Sequence, residues 1–584
     1  MIDDKQKKYN KIKWSTAVFL LVAVVTWPLV VNPFELIGHQ LGEVDNHFWM
    51  FWRAQEMFMG HWPVANFPVG IEIPIMDPVN LPVYSLGALV DPVVGYNLMV
   101  FFNFVLAFVG GWYLAVELNV SSRAAVTAGV ALAASPFLSG IAAFGITESL
   151  PLGWLGVHVG ALFAWQSRRK ATSLVLASGS LAALLFSGWY GALIALLVEV
   201  LVFCVLLVKS NRRGLIGMVV GFLAQGLFAS MLVIPRFLQF LAQRDIWSDR
   251  WHGGVHPPPA FLPHWRTMSS AGSDLLNLFL PSLESVPVSK SVYLGVIVIS
   301  LAVIGGKRAR LALILALPFF VLSLGYWFAV GGRTIWFGVP VSLPALWLTR
   351  AVPALEGVGH WYRLIGPTVL FLGVAAAVGV ERLSVRWPRI IWIAPALILA
   401  DSLLFSQTPW PRGQVEGGIP AIYEEMPDGG AVVQLPFHNG RREFSPDVPR
   451  IYNRWQPMHG HEVAENYEGA DASLESNEFL AYANYLCGVL TPSTIRRPAR
   501  LSVVSEPEDV NNDLLWLGRK GFKWIVVHSR GERPKWDAWM CGSSQGTAAD
   551  QNASAQFLYD YLVETIGEPV ALVGGDMLFT IPEL

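Results

Sequence analysis

The chain has 584 residues, 53% of them hydrophobic and only 14% charged, with a formal net charge of −2. Soluble domains carry about 25% charged residues, so the deficit excludes an ordinary water-soluble globule and points to a chain embedded in lipid. The near-neutral balance gives no electrostatic footprint for nucleic acid.

The N-terminal stretch is basic from Lys5 to Lys13 and apolar from Trp14 to Val31. It lacks a small-residue cleavage motif, so it reads as a retained first span and not a signal peptide. A span needs about 20 apolar residues. About eleven stretches qualify, near 14–32, 93–117, 122–144, 149–166, 172–188, 191–208, 214–235, 291–306, 311–330, 363–381 and 389–406. Every second joint between them is basic: Lys5 to Lys13, Arg123, Arg168 to Lys170, Lys209 to Arg213, Lys307 to Arg310, and Arg382 to Arg389. Cytoplasmic loops retain Lys and Arg, which predicts a cytoplasmic N-terminus and, with an odd span count, an external C-terminus. Many of the 24 Trp and 33 Phe fall in the joints, as an interfacial aromatic belt requires.

The expected architecture is an α-helical polytopic membrane domain, 1–406, followed by an extracytoplasmic α/β domain, 407–584. The outer loops are 33–92, 236–290 and 331–362. In the C-terminal domain, 431–435 and 523–528 read as buried strands, each after a helix-like stretch, at 421–426 and 513–520. Gly574-Gly575 reads as a tight turn between two short strands. Cys204 sits in an apolar run and is expected to be buried. Cys487 and Cys541 both fall in the outer domain, where a disulfide is chemically permitted, but their spacing leaves the pairing open.

Asp45 follows the first span directly and precedes aromatics at 48, 49, 51, 52 and 58. That pattern predicts a helix lying in the interface, with Asp45, Arg53 and Glu56 on its polar side. An acid there can meet a lipid headgroup and a soluble acceptor together; equally, it can serve as the helix N-cap. Glu148 sits in the short outer turn 145–149 and reads as a second acid or as a solvated cap. Asp77, in Asp77-Pro78-Val79-Asn80, reads as a third acid or as a turn residue, and Asp91 and Asp274 read as helix caps. His158 and Glu199 fall inside spans. Ionisable groups there are costly and usually paired, so the two are expected to pair with each other, as a structural contact or as part of a proton path. His438, His459, His461 and Glu462 lack the i, i+4 spacing of a zinc helix; they suit gripping a polymer acceptor or partner better than a metal.

The order of first span, acid, Trp-rich helix and short Phe67-Pro68-Val69-Gly70 turn resembles the GT-C superfamily of polytopic membrane glycosyltransferases, especially its bacterial YfhO-like and mannosyltransferase-like branches. Further stretches resemble it at 91–115, 135–165 (SPFLSGIAAFGITESLPLGWLGVHVGALFAW), 269–282, 353–383 and 423–437 (YEEMPDGGAVVQLPF). The resemblance implies a polyprenyl-phosphate-linked sugar donor and an envelope glycan, lipid or protein as acceptor. It further implies a bacterial inner-membrane location with the C-terminal domain periplasmic. It makes Asp45 the general base and Glu148 an assisting acid, with Asp45 and Glu148 as ligands should a divalent metal, Mg or Mn, be used. A single acid at 148 departs from the family's paired acids and puts that metal in doubt. Trp52, Arg53, Asp77, Arg236, Arg333 and Arg363 become substrate contacts, the arginines as candidates to steady the leaving phosphate. Two other readings are a catalytically silent scaffold of the same fold and a lipid-carrier flippase. The chain shows none of the internal repeats common in transporters.

Overall fold

The computed structural model describes residues 15–38, 43–61, 77–209, 212–242, 272–280, 291–331, 333, 335–336, 339–352, 355, 358, 360–415, 419–435, 455–463, 517–519, 521–528, 559–560, 562–564 and 566–581. They belong to two compact units. One comprises Met1–His47, Ile75–Asp245 and Trp251–Glu416; the other comprises Phe48–Pro74, Ile246–Arg250 and Gly417–Leu584.

Helices dominate the first unit. In chain order they begin with α1 (Ser15–Val25), β1 (Leu36–Ile37), α2 (Val44–Phe58), α3 (Leu81–Ala88), α4 (Pro92–Glu117), α5 (Ser122–Ala133) and α6 (Pro136–Phe144). Next come α7 (Gly153–Arg168), α8 (Ala171–Phe186), α9 (Trp189–Lys209) and α10 (Arg212–Ala242). After α11 (Leu275–Phe279), α12 (Val296–Gly305) and α13 (Arg310–Ser323) comes the β2–β3 ribbon (Ile335–Trp336, Val339–Pro340). The unit ends with α14 (Pro344–Ala351), α15 (Ile365–Ser384), α16 (Ile390–Leu404) and β4 (Gln414–Val415), which pairs antiparallel with β1.

A helix occupies each of the eleven predicted spans. Among the described residues, four are long and apolar enough to cross a membrane: Pro92–Glu117, Ser122–Phe144, Trp189–Val208 and Trp361–Ser384. Shorter apolar helices include Ser15–Val25, Ala171–Phe186 and Ile390–Leu404. The chain is a polytopic membrane protein. The span 122–144 is interrupted where Ser135 caps a fresh start at Pro136, accepting from the Leu138 N–H at 3.2 Å. Asp91 and Asp274 cap α4 and α11, as predicted.

Glycines let α4 and α7 touch backbone to backbone. A Cβ on Gly153 would lie 2.6 Å from the Ala107 nitrogen, and one on Gly156 would lie 2.5 Å from the Gly110 carbonyl carbon. Without a hydrophobic drive between lipid-facing helices, such close approach is a main source of association. Deeper in the bundle, His158 Nδ1 donates to the Ala177 carbonyl at 2.9 Å and Nε2 lies 2.8 Å from Glu199. Gln225 donates to the same carboxylate at 2.7 Å. The expected pair forms, and its partners pin α7, α8, α9 and α10 together.

Several basic joints meet at one end of the bundle. Arg168, closing α7, pairs with Glu117, closing α4. The Ser121 N–H donates to Glu381 at 2.8 Å, and Arg382 donates to the Ile304 carbonyl at 3.0 Å. The sixteen residues of α7 place its other end roughly 24 Å away.

The second unit holds a four-stranded sheet in the order β5 (Ala431–Leu435), β6 (Phe522–Val527), β8 (Asp576–Thr580), β7 (Ala571–Val573). The β5–β6 pair is parallel and the other two pairs are antiparallel. Both predicted strands and the Gly574-Gly575 turn are present, and 421–425 forms a 3-10 turn. Ala431, Val433, Phe522, Ile525, Val527, Leu562 and Phe579 form its core.

Two expectations are corrected. Phe48, Trp49, Phe51 and Trp52 are buried in protein, so this stretch of α2 is not an interfacial helix; the Trp49 indole donates to Gln456 at 2.5 Å, and only Phe58 stands exposed. Cys204 is exposed on α9 and not buried, because its position turns away from the pin formed by Glu199. Cys487, Cys541 and His438 lie outside the described residues.

Candidate functional site

Gly145 ends α6 in the left-handed region, at φ +81°, which an L side chain rarely adopts. Its Cβ would also meet the Val44 Cα at 2.5 Å. The Glu43 N–H donates to the Phe144 carbonyl at 2.6 Å. The segment that follows β1 is therefore docked by backbone onto this turn, at the end of α7 remote from Arg168. From Gly145 the chain enters a 3-10 turn, Thr147–Leu152, which presents Thr147 and Glu148.

Two residues from distant sequence converge there. His47, 2% exposed, places Nδ1 2.6 Å from the Thr147 hydroxyl; its Nε2 lies 3.6 Å from Glu43 and 3.7 Å from Glu148. Arg363, in the 3-10 turn Trp361–Leu364 that opens α15, donates from Nη1 to Glu148 Oε1 at 2.5 Å. Its guanidinium lies 4.3 Å from the Tyr190 ring centroid. Among the described residues, Arg363 Nε and Glu148 Oε2 are buried without a hydrogen-bond partner. Beside them opens a recess whose polar side carries Glu148, Tyr190 and Arg363 and whose walls include Phe137, Leu152, Leu184 and Ile194.

Asp77 lies beneath His47. Thr147 hydrogen-bonds its carboxylate, as does Asn80 from Nδ2 at 3.0 Å, and Asn103 in turn donates to Asn80 at 2.8 Å. Burial pushes Asp77 from its ordinary 3.8 up to about 7, against the opposing pull of His47, Asn80 and Thr147. Burial opposes charge on His47 as well, but the nearby Glu43 carboxylate and the charges of Glu148 and Asp77 outweigh it and raise its pKa above 6.5.

Of the residues singled out in the sequence, Glu148, Arg363 and Asp77 come together in this network. Asp45 is buried in the first turn of α2. It is two residues from His47, so it projects about 200° away around the helix, and its charge bears on Tyr96 together with Asp77 and Glu148. Trp52 and Arg53 are buried in the second unit, with Arg53 over the Trp49 ring at 5.5 Å. Arg333 is exposed beside the β2–β3 ribbon. Arg236 lies in α10, and its side chain is outside the described atoms.

His47, Glu43, Thr147, Asn80 and Tyr190 were not singled out. The one sequence signal was the i, i+4 spacing of Glu43 and His47, a common pairing on helices. A divalent ion on Asp45 and Glu148 does not fit this geometry. The Glu148 oxygens face Arg363 and His47, so a metal would have to sit among cations, and no group of three His, Cys, Asp or Glu side chains among the described residues is arranged to hold one.

No protein-family model matches the chain, and no curated protein matches it. Solved structures do. ArnT from Cupriavidus metallidurans bound to undecaprenyl phosphate is similar over 98% of this chain and 98% of its own, at 15% identity and a TM-score of 0.52. Arabinofuranosyltransferase AftD from Mycobacteria is similar over 98% of this chain and 40% of its own, at 14% identity and a TM-score of 0.55. The chain has the GT-C fold. The architecture expected from the resemblance is the one observed: a helical membrane portion and a small C-terminal sheet. Within this GT-C fold, the network of Glu148 and Arg363 lies at the helix ends opposite the basic joints.

Proposed function

We propose that the chain is a membrane glycosyltransferase that moves a sugar from a polyprenyl-phosphate-linked donor to an envelope glycan, lipid or protein. The observation that carries the reading is Arg363. It is a buried guanidinium whose Nε has no hydrogen-bond partner among the described residues, lining an apolar-walled recess, and a lipid phosphate supplies both the charge and the apolar tail such a place accepts. The GT-C neighbour ArnT, solved with undecaprenyl phosphate, supports this donor class.

Sidedness supports it as well. With Lys- and Arg-rich joints favouring the cytoplasm, this reading has the recess on the outer face of a bacterial inner membrane and the C-terminal domain periplasmic. Nucleotide sugars do not reach that face, whereas lipid-linked sugars do. In the transfer, the acceptor O–H bond breaks and the oxygen bonds to the anomeric carbon. The bond from that carbon to the phosphate oxygen breaks, and its electron pair leaves with the lipid phosphate beside Arg363. Asp45, the acid that the family resemblance assigns as base, takes the proton; Glu148 holds Arg363 in place until the donor phosphate replaces it.

The test uses full-length protein in nanodiscs. Undecaprenyl phosphate should bind, undecaprenol should not compete, and Arg363→Ala should lower affinity at least tenfold. Equal binding of phosphate and alcohol, or an Arg363→Ala variant that binds like wild type, defeats the reading. Asp45→Asn should abolish complementation at normal membrane abundance; full complementation removes Asp45 from the chemistry.

A further inference from the structure

We infer that Glu148 is an exchangeable placeholder anion, which leaves Arg363 for His47 when a lipid phosphate enters, and that the His47–Thr147–Asp77 chain keeps His47 ready to receive it. This rests on the lipid-phosphate reading of the recess.

The geometry gives Glu148 two cationic partners and one firm bond. Its Oε1 accepts from Arg363 at 2.5 Å, while Oε2 stands 3.7 Å from His47 Nε2, beyond hydrogen-bond length, with no partner among the described residues. A phosphate arriving at Arg363 competes for the same guanidinium. A buried carboxylate stripped of its cation is strongly unfavourable, so entry of the phosphate would be opposed unless Glu148 had somewhere to go. His47 is that place, about 1 Å from bonding distance.

For the exchange to work, Nε2 must carry a hydrogen, and the surroundings provide for it. With Asp77 ionised and His47 an imidazolium, Thr147 donates its hydroxyl hydrogen to Asp77 and accepts from His47 Nδ1–H, and the second ring hydrogen, on Nε2, faces the acids. With Asp77 protonated, the hydroxyl reverses and donates to Nδ1 of a neutral His47, whose hydrogen then sits on Nε2. Either state of Asp77 therefore presents a donor to Glu148. The groups facing His47 are Glu43 from its own helix, Thr147 and Glu148 from the outer turn, and Asp77 ahead of α3, and the three acids together raise its pKa.

The probe is undecaprenyl phosphate titrated into full-length protein in nanodiscs, with undecaprenol as the control for tail binding. Glu148→Gln removes the competitor and should tighten phosphate binding about tenfold. His47→Gln removes the alternative cation and should weaken it about tenfold. Thr147→Val should weaken it as well, while Thr147→Ser should restore wild-type affinity; the Val–Ser pair separates loss of the hydroxyl from loss of fold. A Glu148→Gln variant that binds more weakly or unchanged overturns the placeholder role, and unchanged binding in His47→Gln overturns the exchange. If Arg363→Ala binds like wild type, the lipid-phosphate reading itself falls. If it loses binding while Glu148→Gln fails to gain it, only the exchange falls.

Discussion

Asp77→Asn offers a stability measurement that needs no substrate. The native carboxyl holds its proton up to about pH 7, against an ordinary 3.8 in the unfolded chain. Below 3.8 both states are protonated and the acid costs nothing. Between 3.8 and 7 the unfolded chain releases a proton that the native protein retains, so native stability falls as pH rises, by 1.36 kcal/mol per pH unit. Over about three units the loss reaches a ceiling of roughly 4 kcal/mol, constant above pH 7. His47 has the opposite origin: its raised pKa contributes stability in full below 6.5, which fades as pH climbs through the folded value. Part of that contribution depends on the Asp77 charge, so the ceiling is not reached. An Asn at 77 keeps an oxygen for Thr147 and Asn80 to donate to, without the ionisation. The variant should match wild type at pH 4 and exceed it at pH 8 by about 2–4 kcal/mol. The assay is the unfolding midpoint of each protein in bicelles across that pH range. A variant destabilised equally at both ends, or a difference independent of pH, refutes the reasoning.

Two further perturbations address the bundle. His158→Leu leaves the Glu199 carboxylate without its imidazole and should cost about 3–5 kcal/mol; the His158→Leu/Glu199→Leu double variant should recover part of that loss, and simple additivity in the same unfolding assay would contradict the pin. Gly153→Val drives a branched side chain into the backbone of α4 around Ala107. It should cost at least the 1–3 kcal/mol typical of overpacking; a wild-type melting midpoint would show that the two helices are not in contact there.

The legible part of the fold was what hydrophobicity alone dictates. Each apolar run became a helix because lipid leaves backbone groups no other partner, and 431–435, 523–528 and Gly574-Gly575 announced themselves through local composition. The aromatic run at 48–52 misled, since the same spacing serves a helix packed in protein as well as one at an interface. In the site, Glu148 and Arg363 stood out as charges at span ends. His47 and Thr147 did not, because their meeting depends on a backbone contact, Glu43 to Phe144, between segments about a hundred positions apart. Asp77 looked like a turn residue because its chemistry comes from burial, which no dipeptide records.

The Glu148–Arg363 contact joins positions separated by 215 in sequence, with several helices between them. During synthesis the acid emerges long before its guanidinium. A nascent chain halted ahead of residue 363 would thus hold Glu148 with only the more distant His47 beside it, which makes the arrival of α15 the step that completes the site.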